Sequence, residues 1–233
     1  GSTNYRVASG GVNNVTFTGN TVNVGGAAAF RAGISADEVG GAFSGNTIQS
    51  INQDIQIRFG SNGDIDVSNN ILNGGGVEIA EPNAGATAIT VSGNTFEGTF
   101  GNLFVTPRTA VLRLKNNQQN KATTVSGNTF LNHRFGLSLE NYRNVSVLGN
   151  NFTPESGSTD FVHIGVNTKS ISSNSNMIVQ TTVDGSFTSN TFNASGTPGG
   201  TALGFYNHDN DNASFGTFSI GGLGLENTFN AGF

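Results

Sequence analysis

Val91-Ser92-Gly93-Asn94-Thr95-Phe96 returns almost unchanged as Val125-Ser126-Gly127-Asn128-Thr129-Phe130. Looser copies place Asn at 20, 46, 70, 150, 190 and 227, each with an apolar residue two positions on: Val22, Ile48, Leu72, Phe152, Phe192 and Phe229. Asn20, Asn46, Asn70 and Asn94 lie 26, 24 and 24 residues apart, and Asn128 to Asn150 is 22. Self-similarity at such a period marks a stacked repeat, in which each unit buries its apolar face against the next.

Parity inside the word forces a corner. Ile89 and Val91 share one face of an extended strand, but Phe96 is five residues beyond Val91 and in a straight strand would point the other way. A bend at Gly93-Asn94 returns Phe96 to the interior, and Gly and Asn are the residues that best tolerate a left-handed backbone. The same reasoning predicts corners at 19–20, 45–46, 127–128 and 149–150. Stacked units about 4.8 Å apart would turn the Val, Phe and Asn positions into columns, and an Asn column can pass amide hydrogen bonds from unit to unit.

About ten residues after each marker a second alternation follows: Ile55-Gln56-Ile57-Arg58, Val77-Glu78-Ile79, Leu112-Arg113-Leu114-Lys115, Leu137-Ser138-Leu139-Glu140, Val162-His163-Ile164 and Leu203-Gly204-Phe205-Tyr206. Period two marks a strand with one face buried, so each unit carries at least two strands. The spacing loosens where loops are expected, near 97–121, 153–160 and 193–217. Asn176-Met177-Ile178 is a degenerate copy too close to Asn190 to be a full unit.

Composition agrees with strands and turns. Of 233 residues 34 are Gly, and charged residues make up only 11%, a poor recipe for helices. Eighteen Phe with many Val and Ile supply a core. The net charge of −5 removes the electrostatic reason to expect nucleic acid. With no cysteine there is no disulfide framework or thiolate chemistry. No apolar run approaches the roughly 20 residues that span a bilayer as a helix. Gly1-Ser2 reads as a tag remnant and 3–233 as one domain, a piece of a larger protein with flanking domains.

The recurring G-N-x-[FIV] corner resembles the right-handed parallel β-helix repeats of the pectin-lyase-like superfold, with matches from about residue 15 to 229. The resemblance implies an all-β, single-stranded right-handed parallel β-helix (a β-solenoid) of about seven to nine coils, roughly 35 to 45 Å long at the strand spacing. It implies several functions, because that superfold includes pectate lyases, polygalacturonases, epimerases, tailspikes, adhesins and ice-binding proteins. The polygalacturonase motifs do not transfer: Asn94-Thr95-Phe96 stands where N-T-D would be, and D-D, G-H-G and R-I-K are absent. Pro107-Arg108 and Arg113 lack the spacing of a pectate-lyase R-x-P-x-x-R element.

Reading the second strand set as columns gives two outward rows. One is Ala29, Gln56, Glu78, Arg113, Ser138, His163 and Gly204; the next is Arg31, Arg58, Ala80, Lys115, Glu140, Gly165 and Tyr206. Arg31, Arg58 and Lys115, with Tyr206 near one end, suggest a shallow groove for an acidic polysaccharide, and Glu78, Arg113, Glu140 and His163 complete the candidate glycan face. The competing reading is a solvated face of cross-strand ion pairs.

Other constellations are weaker. Asp64 and Asp66 share a strand face at about 7 Å, but two carboxylates on one strand do not flank a substrate as glycosidase acids do. His133, His163 and His208 show no metal-like spacing and read as surface histidines. Asn207-x-Asp209-x-Asp211 has the oxygen spacing that opens a calcium loop, while Asn212 and Phe218 occupy the positions where an EF-hand wants Gly and Glu. Outward Thr and Ser near the corners suggest an ice-binding array, interrupted by Ala42, Asp66 and Leu148. The reading favoured is a non-catalytic β-solenoid segment of a secreted or cell-surface bacterial protein, a rigid adhesin-like module with polysaccharide as its partner. A polysaccharide lyase, hydrolase or epimerase is the alternative, and ice binding a further one.

Overall fold

The structure is a computed structural model that describes residues 5–7, 12–23, 32–37, 39–49, 53–58, 63–74, 77–80, 88–97, 111–115, 120–133, 135–153, 160–166, 182–193, 201–207 and 214–230. All regular structure among these residues is strand, arranged in three eight-stranded sheets. The chain visits the sheets in rotation. Ala88–Ser92 lies in the second sheet, Thr95–Glu97 in the third and Leu112–Lys115 in the first, after which Ala122–Ser126 returns to the second. Neighbours within each sheet are parallel, as they must be when each unit repeats the direction of the one before.

The recurring word sets the register. Val91 pairs with Val125 and Ser92 with Ser126 before the corner, and Thr95 with Thr129 and Phe96 with Phe130 after it. Alternate residues of all three sheets turn inward to one apolar cluster that runs from Val22 to Phe192 and includes Val77, Ile79, Leu112 and Leu114. In the third sheet the inward column is Val22, Ile48, Leu72, Phe96, Phe130, Phe152, Phe192 and Phe229. Its aromatic part is a stack, with ring centroids 4.8 Å apart for Phe96–Phe130 and 4.5 Å for Phe130–Phe152, the latter pair within 2° of parallel. The strand repeat fixes that distance, so the phenyl rings stack because the backbones do.

The corner is simpler than expected. A positive φ falls on the first corner residue alone: Gly19, Gly45, Gly93, Gly127 and Gly149, and in the same position Asn69 (55°) and Ser189 (56°). The ladder Asn that follows keeps a negative φ, so its conservation of type is a matter of its amide and not of its backbone. Gly93 N–H donates to Ser126 O and Thr95 N–H to Asn70 O, so the corner backbone is paired with neighbouring units on both sides.

The first sheet starts earlier and in a different register than the alternation suggests. Tyr5–Val7 pairs with Ala32–Asp37, and Asp37 lies beside Arg58 while Ser35 lies beside Gln56. Arg31 and Ala29, which the sequence rows place there, lie outside the described residues. Within 97–121 and 193–217 the strands Leu112–Lys115 and Thr201–Asn207 lie where the alternation places them, and Ser214–Ile220 begins before 217. The remainder of those segments, 154–159 and the copy at 176–178 fall outside the described residues.

Two strands of the second sheet are bulged. The register of Val12–Thr18 against Val39–Ser44 shifts between Val12 and Val15, where Asn14 takes a φ of 62°. In Ser214–Ile220, Phe215 opposes Val183 but Phe218 opposes Gly185, so two residues, Gly216 and Thr217, face Asp184. Such an extra residue bends the strand and re-aims its side chains.

Candidate functional site

From Gln56 onward the outward rows of the first sheet stack as the alternation requires. Gln56, Glu78, Arg113, Ser138, His163 and Gly204 are successive partners. Ala80, Lys115, Glu140, Gly165 and Tyr206 form the next row. The side chains of Arg58, His163, Tyr206 and Asn207 lie outside the description, as do Arg31, Asp209 and Asp211 entirely.

Where side chains are described, the charges are engaged with one another. Arg113 Nη1 donates to Glu78 Oε2 at 2.8 Å, and its Nε and Nη2 donate to the two oxygens of Glu140 at 3.2 Å each. That is the planar fork of a guanidinium closing on one carboxylate while its third corner holds another. Lys115 Nζ lies 3.8 Å from Glu78 Oε1. Glu78 and Glu140 are only 4% and 6% exposed, so the pairs are shielded from bulk water. Among the described side chains of this face, two cations and two carboxylates leave no net formal charge. The described cross-strand pairing runs Glu78–Arg113–Glu140, as the ion-pair reading of this face expects.

Ser138 sits in the same row, fully buried, with no hydrogen-bond partner for its hydroxyl among the described residues. Asp64 and Asp66 do not form a couple: Asp64 Oδ1 accepts from Ala88 N–H at 2.9 Å, while Asp66 lies in the outward row between Ala42 and Thr90.

His133 is not a surface histidine. It is 2% exposed and stands edge-on to Phe130 and Phe152 at 6.3 and 6.2 Å between centroids. Burial lowers its pKa to about 3, because the imidazolium would lose its hydration in an aromatic pocket. Its sequence signal is its place three residues after Phe130, at the end of a third-sheet strand. Tyr142 is also fully buried; burial raises its pKa above the ordinary phenol value while its hydroxyl pairs with that of Thr123 at 2.9 Å.

The corner asparagines form the most extensive polar feature among the described residues. Asn94 donates through its backbone N–H and its Nδ2 to Asn128 Oδ1, and the same relation joins Asn20, Asn46, Asn70, Asn94, Asn128, Asn150, Asn190 and Asn227 in sequence. From Asn46 on, each Nδ2 also donates to a carbonyl of the unit before, such as Asn94 to Val67 O and Asn128 to Val91 O. An interior amide therefore accepts two hydrogen bonds and donates two, its full complement.

Among the described residues no group of His, Asp and Glu could hold a metal ion, and no helix is long and apolar enough to cross a membrane. No protein-family profile, curated protein or solved structure matches the chain.

Proposed function

We propose that the chain is a right-handed parallel β-helix of about eight coils, of the pectin-lyase-like type, acting as a rigid, non-catalytic scaffold in a secreted or cell-surface bacterial protein. The observation that carries this reading is the eight-member asparagine ladder, which ties every unit to the next through buried amides. Such a ladder gives no chemistry to a substrate but resists bending and shear of one unit on another. The right-handed sense follows the rule that parallel crossovers obey almost without exception.

The engagement of the charged groups supports the same reading. A general acid or base needs a carboxyl free to exchange a proton with substrate, whereas Glu78 and Glu140 both face Arg113. The reading is tested by incubating the protein with a panel of plant, algal and bacterial polysaccharides and following new reducing ends and unsaturated products. No product is expected from any member. Turnover on one of them, lost in a Glu78→Gln or Glu140→Gln variant that still folds, would replace the scaffold by an enzyme.

A further inference from the structure

The second sheet carries a feature that the scaffold reading does not require. On its outward face an open cleft of about 640 Å³ crosses four successive strands, from Thr124 through Ser146 and Ser186 to Thr217. At the strand spacing that is a path of about 14 Å. The bulge at Gly216–Thr217 belongs to its lining, so the cleft exists where the sheet departs from its repeat. Gly185 lies beneath the same irregularity; a Cβ there would stand 2.6 Å from Val145 O, so the strands approach too closely for any side chain.

We propose that this cleft binds a short stretch of neutral oligosaccharide. Its polar groups both donate and accept. Thr124 and Thr217 direct no hydroxyl hydrogen bond to the described protein, Ser146 and Ser186 share only a weak 3.4 Å contact, and Asn144 uses its Nδ2 toward Asn120 O. A ligand that meets such a surface must itself donate and accept along its length, as a polyol does. Asp184, the one carboxylate among the described lining residues, is held in place by the Asn144 N–H at 2.6 Å and lies 3.5 Å from Arg143 Nε. Its charge is thus compensated, and none of the described lining residues is a cation that would attract an acidic glycan or a nucleic acid. A peptide would add to a sheet edge through its backbone, but the cleft lies across the face of paired strands. The volume is within the range of small-ligand pockets, and the lining is preformed by backbone geometry.

The proposal goes beyond the scaffold reading and does not depend on it. The test is an NMR titration of the whole chain with cellohexaose, xylohexaose, laminarihexaose and mannohexaose, with hexagalacturonate and a neutral Ala/Thr hexapeptide as comparisons. At least one neutral hexasaccharide is expected to give saturable amide shifts confined to 144–146, 184–186 and 216–217. Thr124→Trp and Thr217→Trp each fill the cleft from an exposed position, so both variants should keep the wild-type circular dichroism. Each should weaken that binding at least tenfold. The proposal is overturned if no neutral sugar shifts these amides, if binding survives both substitutions in folded protein, or if the galacturonate or the peptide binds there more tightly.

Discussion

Replacing Asn128 by Ala removes the middle of the amide ladder and should separate interior rungs from terminal ones. In the wild type, Asn128 Oδ1 accepts from Asn94 N–H at 2.9 Å and Asn94 Nδ2 at 3.0 Å, and Asn128 Nδ2 donates to Val91 O and Asn150 Oδ1 at 2.9 Å each. The substitution orphans the Asn94 backbone N–H in a site 1% exposed, where water cannot replace the lost partner. A buried unsatisfied donor costs about 1–3 kcal/mol, and the weakened partners of the other bonds add to it, so the expected loss is about 2–4 kcal/mol. Asn20→Ala is the contrast. The Asn20 amide bonds to Thr18 O and Asn46 Oδ1 but accepts from no described residue, and its site is only partly buried, so the loss should stay below about 1 kcal/mol. Repeat arrays can open unit by unit, so urea unfolding is best read beside amide exchange, in which the Asn94 N–H of the Asn128→Ala protein should lose most of its protection. A cycle of Asn94→Ala with Asn128→Ala should show a coupling of about 1 kcal/mol from the Asn94 Nδ2–Asn128 Oδ1 bond, because the Asn94 backbone N–H survives the first substitution. Equal losses at Asn20 and Asn128, or an Asn128→Ala protein within about 0.5 kcal/mol of wild type, would refute the ladder as a source of stability.

Three further outcomes follow from the packing. Arg113→Met should cost about 3 kcal/mol because it strands two buried carboxylates, while Lys115→Met, whose partner is 3.8 Å away and which is more exposed, should cost less than about 1 kcal/mol; urea midpoints that fall equally would contradict the network. Ser189 holds a left-handed corner with an ordinary side chain, so Ser189→Gly should raise stability by about 0.5–1 kcal/mol, and a lowered melting temperature would show that the serine has another role. The pH dependence carries the His133 signature: its folded pKa of about 3 lies below the ordinary 6.5, so below pH 6.5 the unfolded chain binds a proton that the folded one refuses. That contribution is therefore fully present above pH 6.5 and declines by about 1.4 kcal/mol per unit as pH falls toward 3. A His133→Leu protein should lack that slope, and identical pH profiles for the two proteins would mean that the imidazole becomes protonated within the fold.

The corner and the columns were legible in the sequence because all their determinants are local. Gly93, Asn94 and Phe96 each act within one short word, and a repeated word can stack only on its copies. The first-sheet register over Ala32–Asp37 was not legible, because no corner word fixes the distance from Asn20 to that strand. Arg31 and Asp37 alternate equally well with their neighbours, and only pairing with Gln53–Arg58 chooses Asp37. His133 was misread for a related reason: a polar residue just past a strand looks solvated until the aromatic column beside it is assembled.

The bulges show where a subtler signal was present. In both bulged strands the apolar spacing is three and then two: Val12, Val15 and Phe17, and Phe215, Phe218 and Ile220. A regular strand cannot keep residues three apart on one face, so that spacing demands an extra residue between them. At Phe215–Phe218 the extra residue is Gly216 or Thr217, both of which line the cleft. The repeat thus specifies its own exceptions. Positions that obey the period build the core and the ladder, whose partners are other copies of the same word. Positions that break it are held out of register by the same pairing, and it is there that the second sheet acquires a concave surface. A substitution that restores the period, such as deletion of Thr217, should therefore flatten the cleft without touching any residue of the apolar column.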